Sequence, residues 1–370
     1  MKIGILTFHR AHNYGAVLQA YALKIFLMSL GHNVKIIDYW PLSHEKIYKL
    51  WDKDVLKNKS FIVRLKIVIK FLLLFFKKKK RVDKFNNFIS SYLELNKEIK
   101  YYKLSLDADL DVDCIIYGSD QIWRNWITSE RYIGFDSTYF GYNVASSISK
   151  ITYAASMGII KYTKEEEVFL RKAISNFSTI LVREKKLFNL LNYFDYKSNI
   201  VCDPVFLLSK KQWNDILPKS NYLTKEYVVY YRLLPSVEAE KLAYEIAKRY
   251  DCELLIITAS VSFSYRMNER QTLSPLEFIQ VIRDAKFVIA TSFHGTAFSL
   301  IFEKQFYTLG LGANSDRVLT LLDILDLKER YIDSFDLIEF DDIDYSKVKH
   351  KFDNMISYSK QLLIEALDIQ

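Results

Sequence analysis

A short apolar run that leads directly into the start of a helix constrains this chain more than any other feature. The segment from Phe287 to Phe298 reads Phe-Val-Ile-Ala-Thr-Ser-Phe-His-Gly-Thr-Ala-Phe. A strand, a tight turn and a helix start in this order form the place where open α/β sheets bind ligands, and helix N-termini attract anions. His294 would lie beside the free N–H groups, with a side chain that titrates near neutral pH. The segment therefore predicts an anion site next to a proton donor, suited to a phosphate or carboxylate substrate.

The same alternation of strand and helix patterns begins at the N-terminus. Lys2–Phe8 has the pattern of a strand, and Ala16–Leu30 has helical apolar spacing that stops at Gly31, a residue typical of helix C-termini. A second strand pattern follows at Val34–Tyr39. These segments predict one βαβ unit, and further units follow at similar spacing.

The length of 370 residues favours two domains, since single cores rarely grow that large. We predict two Rossmann-like parallel α/β domains with a cleft between them, the first over residues 1–208 and the second over residues 209–370. The segment Ser209–Glu226 is interpreted as their connection. A long final helix, residues 346–370, could pack back on the first domain. Loops at the carboxyl ends of strands are the candidate binding elements.

The cysteines and the N-terminus indicate the compartment. Cysteines occur only at positions 114, 202 and 252, in apolar surroundings and without a CxxC pair, which predicts buried thiols in a reducing compartment. Met1-Lys2 leads straight into a strand pattern, so we expect no signal peptide and a cytoplasmic protein.

The net charge of +8 is concentrated in one stretch, Arg64 to Arg81, which is predicted to be a basic amphipathic helix over residues 61–81. Its uncharged run, Phe71–Phe76, is far shorter than the ~20 residues that span a bilayer. One interpretation is a helix with its apolar face in the core and a solvated lysine end. The other is a helix lying on an anionic membrane surface, which would make the protein peripheral to the membrane. Nucleic acid is not expected as a partner, because no aromatic-interleaved basic motif accompanies the charge.

Two polar loops follow predicted strands. In His9–Gly15, Asn13 can cap a helix and Gly15 permits close backbone approach, but no GxGxxG fingerprint is present. In Gly118–Arg124, Ser119 and Asp120 could cap a helix and Gln121 could meet a substrate hydroxyl. The alternatives are a plain polar connection for the first loop, and capping with a packed Trp123 for the second.

Arg183 ends another predicted strand, where its guanidinium could grip a carboxylate or phosphate with two parallel hydrogen bonds. The alternative is a surface ion pair between Arg183 and Glu184. For His294, the alternative to catalysis is a packed or capping histidine. Alternating aspartates at positions 107, 109, 111 and 113 precede a strand and predict a solvated turn, so no metal site is expected.

Six segments, taken in order, resemble the polysaccharide pyruvyl transferase family. They are Met1–Leu23, Gly118–Trp123, Tyr153–Gly158, Val182–Glu184, Cys202–Val205 and Ser292–Gly295. The resemblance implies a two-domain fold similar to the GT-B glycosyltransferases. It also implies transfer of the pyruvyl group of phosphoenolpyruvate onto a pair of sugar hydroxyls, forming a cyclic ketal during surface or capsular polysaccharide biosynthesis.

In this scheme phosphoenolpyruvate is a co-substrate, no other cofactor or metal is required, and the acceptor is a sugar or a lipid-linked oligosaccharide. The resemblance makes His294 the expected general acid and Arg183 a donor-anion contact. The remaining predicted donor residues are Ser292, Gly295 and Thr296. The predicted acceptor or cleft residues are Asn13, Tyr14, Gly15, Ser119, Asp120 and Gln121.

One departure from the family pattern concerns the donor. Some members have an arginine two positions before the histidine, where this chain has Ser292, so the charge is expected from Arg10 or Arg232, or the donor differs. Two other functions stay open. One is a GT-B-like glycosyltransferase that uses a nucleotide sugar, and the other is a non-catalytic, membrane-associated scaffold of glycan assembly in which His294 would be dispensable.

Overall fold

The first half of the chain is built on a parallel sheet with strand order β2-β1-β3-β6, extended through single bridges to the parallel pair β7-β8. The computed structural model describes residues 1–106, 108–127, 132–264, 266–310, 315–333 and 341–368. The elements of the first half are β1 (Lys2–Leu6), α1 (Tyr14–Ser29), β2 (Asn33–Ile36), α2 (Leu42–Tyr48), α3 (Phe61–Tyr92), β3 (Cys114–Tyr117), β4 (Trp126–Ile127), β5 (Tyr132–Gly134), β6 (Ser149–Thr152), α4 (Lys164–Ile174), β7 (Leu181–Val182), α5 (Lys185–Tyr193) and β8 (Asn199–Ile200).

The second half contains a six-stranded parallel sheet with strand order β11-β10-β9-β12-β13-β14. Its elements are α6 (Lys210–Asp215), β9 (Tyr227–Arg232), α7 (Val237–Arg249), β10 (Glu253–Thr258), β11 (Glu269–Arg270), α8 (Pro275–Asp284), β12 (Phe287–Ala290), α9 (Phe293–Ile301), β13 (Gln305–Leu309), α10 (Asp316–Ile324), β14 (Tyr331–Ile332) and α11 (Tyr345–Asp368). The predicted architecture of two parallel α/β sheets is confirmed.

Local signals explain where these elements form. The central strands β3 and β12 are buried along their whole length, as parallel strands covered by helices on both faces are. Helix α8 begins with a capping box, in which Ser274 and Glu277 satisfy each other's backbone N–H groups, and Pro275 is its first residue. The side chain of Asn13 caps α1 as predicted, accepting from the backbone N–H groups of the first turn.

The two halves pack against each other through helices rather than through their sheets. The Tyr14 ring of α1 stacks on the Phe278 ring of α8 with centroids 4.4 Å apart. In the last helix, α11, the Ser359 hydroxyl accepts a hydrogen bond of 2.9 Å from the backbone N–H of Cys202, so this helix contacts the end of the first half. One apolar core therefore continues from the first sheet to the second.

Each sheet has a point at which the strand order reverses. In the first sheet this point lies between β1 and β3, and in the second it lies between β9 and β12. Loops at the carboxyl ends of such strands form the usual ligand crevice of open α/β sheets. The loops that follow these four strands are therefore the ones expected to form a site.

The structure adds detail to some local predictions and corrects one of them. The segment Ser209–Glu226, predicted as a connection, contains the short helix α6, whose first turn is fixed by a capping box between Ser209 and Gln212. Among the alternating aspartates, Asp111 forms an ion pair with Lys2, as an exposed turn residue can, whereas Asp107 lies outside the described residues. The helix cap expected at Ser119 or Asp120 is wrong, because no helix starts there and the described chain continues to β4.

The basic segment is part of α3, which extends to Tyr92 and has two different halves. From Leu74 onward it contributes buried side chains, among them Arg81 and Phe85. Before that point most large apolar side chains are exposed, so the interpretation of a core-facing apolar helix is wrong for this half. None of the helices in the described ranges is long and apolar enough to cross a bilayer.

Candidate active site at the cleft between the two sheets

His294 lies at the start of α9, directly after the buried strand β12. The residue before the helix, Ser292, has an extended backbone, and its hydroxyl accepts a 3.0 Å hydrogen bond from the N–H of Gly295. This cap fixes the turn that carries the imidazole, which is 9% exposed. The histidine is therefore held at a helix N-terminus, as the sequence predicted.

The N-terminus of α1 faces this histidine from the first half of the chain. At Gly15 an added Cβ atom would lie 1.9 Å from Nδ1 of His294, so only glycine leaves room for the imidazole. Two helix N-termini, those of α1 and α9, thus open on the same space. Both present the positive end of a helix dipole, which favours an anion between them.

Behind the imidazole lies a buried carboxylate, Asp203, which was not among the predicted site residues. Its Oδ2 is 3.6 Å from Nε2 of His294, an ion-pair distance slightly too long for a hydrogen bond. The same oxygen accepts a 2.8 Å hydrogen bond from the Ser119 hydroxyl and another from Nη1 of Arg183. Nη1 also donates to the Ser119 hydroxyl over 2.9 Å.

Electrostatics in this cluster favour an ionised carboxylate. Burial alone would raise the pKa of Asp203, but the charges of Arg183 and His294 outweigh it and hold that pKa well below its usual range. Asp203 therefore places a negative charge within ion-pair distance of Nε2 of His294.

Arg183 is buried and only partly used by this cluster. Its Nε and Nη2 atoms have no hydrogen-bond partner in the part of the chain that the structure describes, and its guanidinium lies 4.9 Å from the centre of the Phe293 ring. The alternative of a surface pair with Glu184 is wrong. Both residues are buried, and Glu184 accepts from the Ser156 hydroxyl and from the N–H groups of Met157 and Gly158.

A cavity of about 140 Å³ connects these elements. Its walls come from the ends of β1, β3, β9, β12 and β13, at both points where the strand order reverses. The lining residues are Asn13, Gly15, Asp120, Gln121, Tyr231, Leu233, Ser292, Phe293, His294 and Arg317. Six predicted site residues therefore meet here, although they lie far apart in the sequence.

Five other predicted residues do not line the cavity. Ser119 and Arg183 lie behind it, in the cluster around Asp203. The Tyr14 hydroxyl points away, accepting from Arg81 and donating to the carbonyl of Leu273. The hydroxyl of Thr296 is fully buried and donates to the carbonyl of Ser292, within its own helix.

Gly295 is likewise enclosed. An added Cβ at this position would lie 2.8 Å from the Cβ of Ala290, so the glycine serves close packing of α9 on β12. Asp120, by contrast, has a backbone φ of 83°, a region that non-glycine residues rarely adopt. Its carboxylate oxygen accepts from the N–H of Gln121, over 2.8 Å, and this turn presents both side chains to the cavity.

The arginine missing at position 292 is not replaced by either expected residue. Arg10 is held by both oxygens of Asp38, at 2.5 and 2.7 Å, and Arg232 is bound by Glu240 and Glu269. Carboxylates thus already neutralise both guanidinium groups, and neither arginine lines the cavity.

Arg317, which the sequence analysis did not single out, supplies a charge instead. It lines the cavity from the start of α10, after β13, and its buried Nε has no hydrogen-bond partner among the described residues. Burial lowers the pKa of Arg317, as does the neighbouring charge of Arg183. Two guanidinium groups are thus close enough to repel each other, an arrangement that an anion would relieve. The sequence feature that could have pointed to Arg317 is its position shortly after a strand of the second sheet.

Several solved structures and one family model are similar to this chain. The solved structures that are similar include UDP-GlcNAc 2-epimerase from Neisseria meningitidis, with 12% identity, 100% of both chains covered and a TM-score of 0.48. Glycosyltransferase SnogD from Streptomyces nogalater has 12% identity and a TM-score of 0.42, over 100% of this chain and 98% of the other. No curated protein matches the chain in sequence. The model of the polysaccharide pyruvyl transferase family matches residues 13–312, and the chain belongs to that family.

Proposed function

We propose that this enzyme transfers the pyruvyl group of phosphoenolpyruvate to two hydroxyls of a sugar, forming a cyclic ketal and releasing phosphate, in surface or capsular polysaccharide biosynthesis. The observation that carries the proposal is the position of His294, at a helix N-terminus, beside Asp203 and in a cavity that Arg317 also lines. This position supports a proton donor next to an anion site, which is the combination that phosphoenolpyruvate requires.

The reaction would begin with a proton transfer from His294 to the methylene carbon of phosphoenolpyruvate. The adjacent carbon then becomes electrophilic, and a sugar hydroxyl adds to it while losing its proton. Cleavage of the C–O bond to phosphate releases the leaving group, and the second hydroxyl closes the ketal with loss of its own proton. Asp120, which lines the same cavity, is the proposed acceptor of a hydroxyl proton. General acid catalysis by His294 would contribute ~10²–10⁴ in rate.

The donor carries a phosphate and a carboxylate, and the proposed contacts to them are cationic. Arg317 lines the cavity and has one unpartnered guanidinium nitrogen within the described structure. Arg183, behind the cavity, has two such nitrogens and would add its positive charge to the electrostatic field at the donor. With the N-termini of α1 and α9, these groups would hold the donor's negative charge in a water-poor site. Ser292 stands where some family members have an arginine, and Arg317 would supply that charge from a different strand end.

The size of the cavity favours this donor over a nucleotide sugar. Sites for drug-sized ligands typically enclose ~300–1,000 Å³, whereas this cavity measures about 140 Å³. A donor as small as phosphoenolpyruvate suits it better. A glycosyltransferase using a nucleotide sugar is the second candidate, and competition between phosphoenolpyruvate and nucleoside diphosphate sugars distinguishes the two.

The test is incubation of the protein with phosphoenolpyruvate and a panel of lipid-linked and model glycosides, followed by mass spectrometry for a pyruvyl ketal. His294→Ala should lower ketal formation by roughly two or more orders of magnitude while the protein stays folded. His350→Ala, at an exposed position on α11, is the matched control and should leave the rate unchanged. A folded His294→Ala protein with near-normal turnover would contradict the assignment and favour the non-catalytic scaffold.

A further inference from the structure

The N-terminal half of α3 carries an apolar stripe that the rest of the protein does not cover. Spacings of three and four residues place its side chains within about 120° of the helix surface, over roughly four turns. These side chains are Phe61, Ile62, Leu65, Ile69, Leu72, Leu73 and Phe76. All seven are exposed, and Phe61 and Phe76 reach 79% and 81%.

The opposite face of the same turns holds the helix on the protein. The Phe71 ring packs on Trp51 with centroids 4.4 Å apart, and Leu74 is buried. Lys77 donates a 2.9 Å hydrogen bond to the carbonyl of Ser264, in the second half of the chain. The opposite face of this helix already packs on the protein, so the stripe faces outward and is not covered by another segment of the described chain.

The charges beside the stripe itself are basic. From Phe61 to Val82 the helix contains eight basic residues and no acidic residue. Lys80 continues the line of the stripe after Phe76 and Lys66 lies along its edge, whereas Lys79 is paired with Asp83 one turn further on. A surface with both apolar and cationic character fits the interface of an anionic bilayer, in which amphipathic helices lie in the plane with their apolar face buried ~5–10 Å.

A second copy of this chain is a poorer occupant. A symmetric dimer through the stripe would bring the same patch of each copy together and place its lysines beside those of the partner, where like charges repel. An anionic lipid surface has the opposite effect, since each basic residue near it contributes ~1 kcal/mol, or about fivefold in binding.

We propose that the N-terminal half of α3 docks the protein on anionic lipid surfaces, with the stripe inserted among the headgroups and the surrounding lysines contacting them. The same helix then continues to Arg81, which donates a 2.9 Å hydrogen bond to the hydroxyl of Tyr14, the residue before Gly15. The binding step does not depend on the proposed reaction, and it would bring the cleft close to acceptors carried on lipid.

The experiment measures co-sedimentation of the full chain with vesicles of phosphatidylcholine, with or without 30 mol% phosphatidylglycerol. We expect binding to the anionic vesicles that falls steeply when salt is raised, because exposed charges are screened. A charge variant with Arg64→Gln, Lys66→Gln and Lys80→Gln should bind about a hundredfold more weakly. Lys347→Gln, Lys349→Gln and Lys351→Gln on α11 remove the same charge elsewhere and should bind as the parent does.

A stripe variant, with Leu65→Ser, Ile69→Ser, Leu72→Ser and Phe76→Ser, tests the apolar part. These residues are exposed, so the variant should fold and keep its activity on a water-soluble acceptor while losing vesicle binding. Equal binding to neutral and anionic vesicles, no binding at low salt, or binding that survives the stripe variant would each overturn the proposal. So would a dimer in solution that the stripe variant dissociates, because the stripe would then be a contact between copies.

Discussion

Gly15 offers the sharpest test of the cleft, because it decides whether His294 and the first half of the chain fit together as the structure has them. In Gly15→Ala the new Cβ would lie 1.9 Å from Nδ1 of His294, whereas ordinary contact begins at 3.4 Å. The imidazole or the start of α1 must therefore move by about 1.5 Å, the difference between these two distances. Misplacement of a catalytic group by ~1 Å can cost ~100-fold in rate.

We expect Gly15→Ala to lower turnover about 100-fold, measured as phosphate released from phosphoenolpyruvate in the presence of a glycan acceptor. Stability should change little, since alanine favours the helix by up to ~1 kcal/mol and offsets part of the strain. Gly118→Ala is the matched control, because its Cβ would meet Leu23 and Thr7 at an ordinary 3.4 Å. A folded Gly15→Ala enzyme with turnover within about threefold of the parent would refute the contact between Gly15 and His294.

The other predictions concern the donor charges and the response to pH. Arg183→Lys and Arg317→Lys keep the positive charge but lose the planar guanidinium group, so each should raise the Michaelis constant for phosphoenolpyruvate about tenfold. Unchanged Michaelis constants in both variants would show that neither arginine acts on the donor. His44 is buried among aromatic rings, and burial lowers its pKa from 6.5 to about 4. The unfolded chain gains a proton near pH 6.5 while the folded chain does not, so stability falls between pH 6.5 and 4, by up to ~3 kcal/mol. Urea unfolding across this range should show a shallower loss for His44→Phe, and identical slopes would contradict the assignment.

Much of the fold was predictable because strand and helix patterns are local. The apolar runs of β3 and β12 are four residues long and end at turn residues, and such short segments leave little choice of strand bounds. The capping box at Ser274 likewise marks its helix from four neighbouring residues. Small helices such as α6 were missed where Lys, Ser and Asn suggested a loop.

The site was predictable only in part, because its central contacts join residues far apart in the chain. The sequence identified His294 and Arg183 as separate candidates, but no local sequence pattern shows that Asp203 lies between them. The positive φ of Asp120 arises from the irregular chain after β3, where a helix cap was expected. Arg317 was overlooked because a helix start after the fifth strand has no special sequence pattern.

The exposed stripe of α3 shows a different limit of sequence patterns. Apolar spacing tells which residues share a face, but it does not tell whether that face meets the core, and here a second face of the helix was already packed on Trp51. Further along, α3 connects the two halves of the chain. Arg81 donates hydrogen bonds to the Tyr14 hydroxyl in the first half and to the carbonyl of Gln271 in the second. One continuous helix therefore joins the proposed lipid-binding stripe to Tyr14, the residue that precedes Gly15 at the cleft.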